Sequence, residues 1–388
     1  MKGQRRNGQI IQKGSGKYLV RAYRGRDADG KRKYASRLVK GTKRDAAAAL
    51  RELEGARDRG LSADGLSMTL NQYLDRWLRD TAPLRLRERT VRDYASTLDR
   101  YVRPAMGEKK LARLTPIDVQ QMVNDLAGRG LTRTVKLTHS TLSSALSQAV
   151  RWNLIQDNPC RRVELPRQRR CEASAMERSE IDAFLEAIRG TRYEAVFVVM
   201  VGTGMRPSEV LGLGWEDVDL DAGSLRVRRV LELRGCSQRM REGRDPFEEP
   251  KTEAGRRTVD LPPQVVAALR AQRARQGEQR LLAGSRYCDP YGLVFTGNTG
   301  RPLGWDNLRA RHFKPALKRA GIPEGSFRAY DLRHTFATQA IEAGTSPRDL
   351  QERMGHSDIK ITLGAYVHPL SEQRQETTDK IASRIFKA

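Results

Sequence analysis

From about Ser67 to Asn158, hydrophobic residues recur at the spacing of an α-helix, with no alternating segment between them. Leu70, Tyr73, Leu74, Trp77 and Leu78 share one helical face, and so do Val91, Tyr94, Ala95 and Leu98. Thr115, Pro116 and Asp118 make a helix start: a side-chain cap, a proline at the first helical position and an acid in the first turn. Val135 to Trp152 predicts one more long helix. The pattern therefore demands an all-α unit over 67–158, flanked by segments of different character.

Before it, Lys17 to Tyr23 alternates as a strand, Asp27 to Gly30 marks a turn, Lys31 to Val39 reads as a second strand and Lys43 to Arg57 as a helix. Ser62 to Gly65 reads as a linker. Residues 1–62 are thus a small α+β domain. After the helical unit, PCRRVELPRQRRC (159–171) is basic, proline-containing and non-periodic, and we read 159–173 as a second linker. Residues 174–388 are mixed and mainly α, with a small antiparallel sheet. Helices are expected over Ile181–Ile188, Ala195–Gly202, Val265–Gln276, Trp305–Ala320, Leu332–Ala343, Pro347–Met354 and Asp379–Phe386. Strands are expected over Ser224–Leu233, Arg257–Leu261 and Gly292–Phe295. Arg234 to Glu249 is a polar insertion to which periodicity assigns no shape.

Charge narrows the partners. Lys and Arg number 72 against 47 Asp and Glu, a net +25, and residues 1–62 alone carry 18 basic and 6 acidic residues. A basic balance concentrated in this way points to a polyanion such as nucleic acid. Cys160, Cys171, Cys236 and Cys288 form no C-x-x-C pair and the five histidines complete no zinc spacing, so neither a disulfide framework nor a metal site is expected. That usage fits a reducing cytoplasm. The basic N-terminus has no apolar segment behind it, and no run approaches the ~18 apolar residues of a membrane span.

Several phrases in 174–388 bring chemistry-bearing residues together. Residues 203–210 (TGMRPSEV) place Arg206 where the chain leaves an apolar helix, with Pro207 fit to open the next helix and Glu209 in its first turn. Arg333 lies in YDLRHTF (330–336), His356 follows Gly355, and Tyr366 comes ten residues later in GAYVH (364–368). Lys251 lies in PKTEAGRR (250–257), a turn between strands. No P-loop, glycine-rich phosphate cradle or carboxylate cluster appears. Taken singly, each residue has an ordinary use: an Arg in a surface ion pair, a Tyr packed half-buried, a Lys in a hairpin.

As an ordered set, T-G-x-R-x-x-E, then R-H-T-F-A, then G-H, then Y resembles the tyrosine recombinase family, which includes the phage-type integrases. The likeness is closest over roughly 175–370, looser over the helical segment, and loosest over 1–62, which is similar to small arm-binding domains of some integrases. It implies a site-specific DNA recombinase, the integrase of a temperate phage or integrative mobile element. In that reading 1–62 binds arm-type DNA sites, 67–158 is a core-binding domain and 174–388 is the catalytic domain with a C-terminal tail. Rivals of the same or another class are a type IB topoisomerase and a catalytically impaired architectural or regulatory DNA-binding protein.

The resemblance also assigns roles. Tyr366 would attack a backbone phosphate and leave a 3′-phosphotyrosine, from which strand exchange builds a Holliday junction. A phenol, with a pKa near ~10, is more easily activated than an aliphatic hydroxyl. Arg206 and Arg333 would grip the non-bridging oxygens with their planar forks, His356 would hydrogen-bond the phosphate, Lys251 would protonate the leaving oxygen, and Glu209 would brace Arg206. Tyr330 stands where the family usually has His; a phenol donates one hydrogen bond but carries no imidazolium charge. No cofactor or metal is implied, because the phosphotyrosine retains the bond energy. The partners implied are double-stranded DNA attachment sites and three further copies of the chain in a tetramer, with an excisionase and a host DNA-bending protein as accessory partners. The place implied is the bacterial cytoplasm, at the nucleoid. Ile381, Ile385 and Phe386 on the last helix would dock on a neighbouring subunit.

Overall fold

The computed structural model describes residues 8–26, 31–58, 62–167 and 174–366. It divides into two compact units, Met1–Arg170 and Cys171–Ala388. The expected turn at Asp27–Gly30, residues 168–173 of the expected linker and the expected helix at Asp379–Phe386 lie outside the described residues.

The first unit opens with an antiparallel sheet in the order β1 (Gly8–Gly14), β2 (Lys17–Arg26) and β3 (Arg32–Lys40). Helix α1 (Lys43–Asp58) starts where Thr42 and Asp45 exchange side-chain and backbone hydrogen bonds. Its small inward residues Ala46 and Ala49, with Leu53, pack with Val20 and Ala22 of the sheet. Strand β1 was not legible in sequence: GQIIQKG has two adjacent apolar residues and glycine at both ends, and its register (Ile10 opposite Val20) is set by β2.

Ser62 to Gly65, expected as a linker, instead begins a short helix, α2 (Ala63–Ser67), capped by the Ser62 hydroxyl accepting from the Asp64 amide at 3.3 Å. Gly65 serves close packing there, because a β-carbon would overlap the Leu154 backbone. The helical bundle follows with α3 (Leu70–Asp80), α4 (Glu88–Thr97), α5 (Pro116–Gly128) and α6 (Thr132–Arg151). Leu70, Tyr73, Leu74 and Trp77 point into its core, and Thr115 and Asp118 form the expected capping box. Pro159–Arg162, expected within the linker, is a 3₁₀ turn with Cys160 buried in the bundle core. Gln120 then holds Glu164 through both its backbone N–H (2.9 Å) and its carbonyl (3.1 Å).

The second unit begins with α7 (Arg178–Ile188), α8 (Glu194–Thr203) and α9 (Pro207–Leu211). A three-stranded antiparallel sheet in the order β4 (Val218–Asp219), β5 (Ser224–Arg226), β8 (Thr258–Asp260) lies beside a second ribbon of β6 (Val230–Leu231) and β7 (Phe247–Glu248). The expected strand at Ser224–Leu233 is therefore two strands serving two sheets. It breaks at Val227–Arg229, where Arg229 leaves the alternation to donate to the Gly212 (3.0 Å) and Tyr291 (2.8 Å) carbonyls. The insertion folds as α10 (Cys236–Arg241) and β7, tied together by Arg239 between Glu232 and Glu248.

Gly292–Phe295, expected as a third strand, makes only an isolated bridge from Leu293 to Gly214. The long helix α11 (Pro263–Ala283) supplies the missing hydrogen bonds: Gln276 and Gln272 donate to the Leu293 (2.8 Å) and Val294 (3.0 Å) carbonyls. The core centres on Phe184, Phe197 and Phe313, whose ring centroids lie 5.6–5.9 Å apart. The chain closes through α12 (Asp331–Glu342), α13 (Pro347–Met354) and α14 (Ile359–Tyr366). The whole is a multidomain, helix-rich chain with small antiparallel sheets, as the periodicity implied. Among the described residues no helix is long and apolar enough to cross a membrane.

Candidate active site

The site grows from two helix ends. Helix α8 buries Val196, Phe197, Val199 and Met200 and stops at Gly204, whose φ of 62° is left-handed. A side chain there would be strained and would strike the Phe336 ring. The chain then extends through Arg206 and turns into α9 at Pro207. Glu209, in the first turn, accepts from the Arg206 backbone N–H at 2.9 Å and from its guanidinium at 2.7 Å. Helix α13, capped by Ser346, likewise ends on a left-handed glycine, Gly355 at φ 62°.

Three arginines meet at the carbonyl end of α13, and each takes a different carbonyl. Arg257 Nε donates to Arg353 at 2.7 Å, Arg333 Nη2 to Met354 at 2.6 Å and Arg206 Nη2 to Gly355 at 3.2 Å. Unpaired carbonyls carry the negative end of a helix dipole, so this terminus both attracts and orients cations. Arg333 spends its other terminal nitrogen on the Gly204 carbonyl at 2.7 Å, which links the two helix ends. Arg257 Nη2 donates to Glu209 at 3.0 Å, so one carboxylate serves two guanidiniums.

The electrostatics follow from burial and crowding. Arg333 is 2% exposed, and burial with the nearby Arg206 charge pushes its pKa down to about 10, so it remains a cation at neutral pH. Burial would push Glu209 up, but Arg257 and Arg206 outweigh it and hold the carboxyl below its ordinary value. Burial, then the charges of Arg333, Arg206 and Arg257, push His356 down to about 4, so its ring is neutral at pH 7. His356 Nδ1 lies 2.9 Å from the hydroxyl of buried Thr362. When that hydroxyl donates, Nε2 carries the proton and is left as a donor.

Arg206, Arg333, Glu209 and His356 are thus brought together from α8–α9, α12 and the α13–α14 turn. Lys251 is exposed in the bend between β7 and β8. That bend abuts the same turn: a side chain at Gly355 would overlap the Ala254 carbonyl and the Arg257 guanidinium. Tyr330 is 43% exposed at the start of α12, with its ring edge-on to His334 at 5.8 Å. Tyr366 is the last residue of α14, one turn beyond Thr362; its side chain and His368 lie outside the described residues.

Sequence reasoning missed Arg257 and Thr362. A signal for Arg257 was present, because strand alternation puts it on the same face as buried Val259 and Leu261, an unusual place for a cation without a partner. Thr362 carried no comparable signal. Among the described residues no group of three or more His, Cys, Asp or Glu could hold a metal ion.

A helical unit joined to a mixed unit of this architecture, with a buried cation cluster beside a helix ending in tyrosine, is the plan of a tyrosine site-specific recombinase. The comparisons agree. The phage integrase family profile matches residues 174–373, and the phage integrase N-terminal SAM-like domain matches 69–127. A XerC-like tyrosine recombinase of Caldanaerobacter subterraneus is 30% identical over 384 residues, covering 96% of this chain and 97% of the relative. An integrase of Streptomyces ambofaciens is 29% identical over 95% of this chain and 94% of its own length. The chain belongs to the phage integrase family.

Solved structures share the fold. The Tn1549 transposon integrase in complex with a circular intermediate DNA superposes with a TM-score of 0.66 at 20% identity, over 81% of this chain and 100% of that one. A lambda integrase tetramer bound to a Holliday junction gives 0.57 at 18% identity, over 93% and 94%.

Proposed function

We propose that this chain, as a recombinase, cuts and rejoins double-stranded DNA through Tyr366, with Arg206, Arg333 and His356 holding the scissile phosphate and Lys251 as the proton donor. The observation that carries the reading is the convergence of three guanidiniums and a neutral imidazole, with one carboxylate among them, at the α13–α14 turn. Three guanidinium charges face a single carboxylate charge, and that positive excess suits a phosphodiester gaining negative charge as it is attacked. As the Tyr366–phosphorus bond forms the phenol's proton passes to solvent, the bond to the 5′-oxygen breaks, and that oxygen takes a proton from Lys251. Tyr330 donates one hydrogen bond to the phosphate, and Glu209 holds Arg206 in place. The reaction runs without a cofactor.

We extend the proposal to an assembly, for which the lambda integrase tetramer on a Holliday junction is the support. Four copies act on two duplexes, Holliday junctions are the intermediates, and an excisionase and a host bending protein set direction at the bacterial nucleoid. Residues 1–62 bind arm sites, 67–158 bind the core site, 174–388 carry the catalysis and 159–173 are the linker; the tail past Tyr366 docks on a neighbouring copy. Engaging two DNA positions with one chain raises the effective concentration at the second.

The test is covalent trapping. The protein is mixed with supercoiled DNA carrying the region beside its own gene, quenched with detergent and examined for a protein–DNA adduct, with Tyr366→Phe in parallel. An adduct absent only from the variant is expected. Adduct formation by Tyr366→Phe would refute the nucleophile, and DNA binding with no adduct from either protein would refute the catalytic reading.

A further inference from the structure

The chemistry above needs a phosphate clamp, a hydrogen-bond donor and an acid to address one phosphodiester, yet they come from three places. Arg206 sits at the α8–α9 junction, His356 on the α13–α14 turn and Lys251 in the β7–β8 bend. One side chain touches the frame of all three. Arg257 immediately precedes β8, and its backbone carbonyl accepts from the Val227 N–H at 2.9 Å, which fixes it to the base of the bend. Its Nη2 reaches the Glu209 carboxylate at 3.0 Å, the same carboxylate that holds Arg206 at 2.7 Å. Its Nε reaches the Arg353 carbonyl at 2.7 Å, three residues before His356. A third nitrogen lies 3.4 Å from the Gly255 carbonyl inside the bend itself. Its Nε and both terminal nitrogens are all engaged by these three partners.

We propose that Arg257 is a positioning residue for strand cleavage: it locks the bend carrying Lys251 to the Arg206–Glu209 pair and to the turn carrying His356, so that acid and clamp meet the same phosphate. The proposal rests on the assignment of Lys251 as the acid. A guanidinium suits the task because its donors diverge in a fixed plane, so one group sets three distances at once. A lysine ammonium would satisfy Glu209 but could not hold the three directions together.

The chemistry gives a readout that a purely structural role would not move. Cleavage releases the phenol's proton to solvent as the Tyr366–phosphorus bond forms, breaks the bond to the 5′-oxygen and delivers a proton from Lys251 to that oxygen. With sulfur in that bridging position the group departs as a thiolate, which is a far weaker base than an alkoxide and needs no proton. Full-length protein is assayed for single-turnover adduct formation on nicked duplexes bearing the crossover sequence mapped by covalent trapping, with oxygen or sulfur at the bridge. Arg257→Lys and Arg257→Gln should cleave the oxygen substrate ~100-fold slower, the scale of general acid catalysis. Both should come within about tenfold of the wild type on the sulfur substrate, with duplex binding retained. Arg257→Lys keeps a charge against Glu209 and carries the test if the Gln variant does not fold.

Lys251→Ala is the control. If it recovers on sulfur while the Arg257 variants lose equally on both substrates, or lose nothing on oxygen, Arg257 does not position the acid. If Lys251→Ala itself does not recover, the acid assignment falls and the proposal falls with it.

Discussion

Replacing Glu209 by alanine should destabilise the second unit far more than an ordinary charge deletion. The carboxylate is 2% exposed and accepts from the Arg206 backbone at 2.9 Å, the Arg206 guanidinium at 2.7 Å and Arg257 at 3.0 Å. Removing one member of a buried ion pair costs ~3–5 kcal/mol, because the partner charge stays buried without compensation. Arg206, with 31% of its side chain exposed, regains water; Arg257, at 7%, does not. The expected loss therefore sits at the lower end, ~3 kcal/mol. In a unit of about two hundred residues each kcal/mol moves the midpoint by ~2–4 °C, so the transition should fall by ~6–12 °C. Scanning calorimetry of the full chain at pH 7 measures it, and Glu209→Gln, which keeps the shape and loses the charge, should fall less.

The pH dependence sharpens this prediction. The folded pKa of Glu209 is lowered from 4.5, so its stabilisation is fully present above that value and is lost as pH falls through the lower folded value. The gap between wild type and Glu209→Ala should close in acid. A shift under ~2 °C at pH 7, or a gap that does not narrow as the pH falls, would refute the argument that two guanidiniums stabilise the buried carboxylate.

Three further outcomes are expected. Because His356 titrates near 4 when folded against 6.5 when free, stability should be full above about 6.5 and decline as pH drops toward 4; denaturant midpoints across pH should show a shallower decline in His356→Gln, and equal slopes would contradict the burial of the neutral ring. Phe184→Ala, emptying a fully buried position between Phe197 and Phe313, should cost ~3–5 kcal/mol in the second unit's transition and nothing in the first unit's; a shared shift would mean the two unfold as one. Tyr330→Phe should slow adduct formation ~10-fold, the worth of one good hydrogen bond, and Tyr330→His should recover it; an unchanged rate in the Phe variant would remove this phenol from the site.

Much of this protein was legible in the sequence because the signals are local. Helical spacing in Leu70–Trp77 and the Thr115–Pro116–Asp118 cap each act within one or two turns of backbone. Arg206, Glu209, Arg333, His356 and Tyr366 were legible as an ordered motif, and Lys251 was singled out through the resemblance that motif carries. What it could not disclose is that Arg333 is buried, that Glu209 serves two arginines, or that Arg257 joins them.

Those features depend on contacts between residues tens to more than a hundred positions apart, and on which groups lose water when the chain closes. The same limit explains the misread strands. Ser224–Leu233 alternates as one strand would, but only the partners across the sheets, Val259 for Leu225 and Phe247 for Leu231, reveal that it serves two. Local sequence chose the elements, because caps and periodicity act through neighbouring residues. Tertiary packing chose the site, because a buried charge is tolerated only where distant donors and acceptors converge to replace the water it has lost.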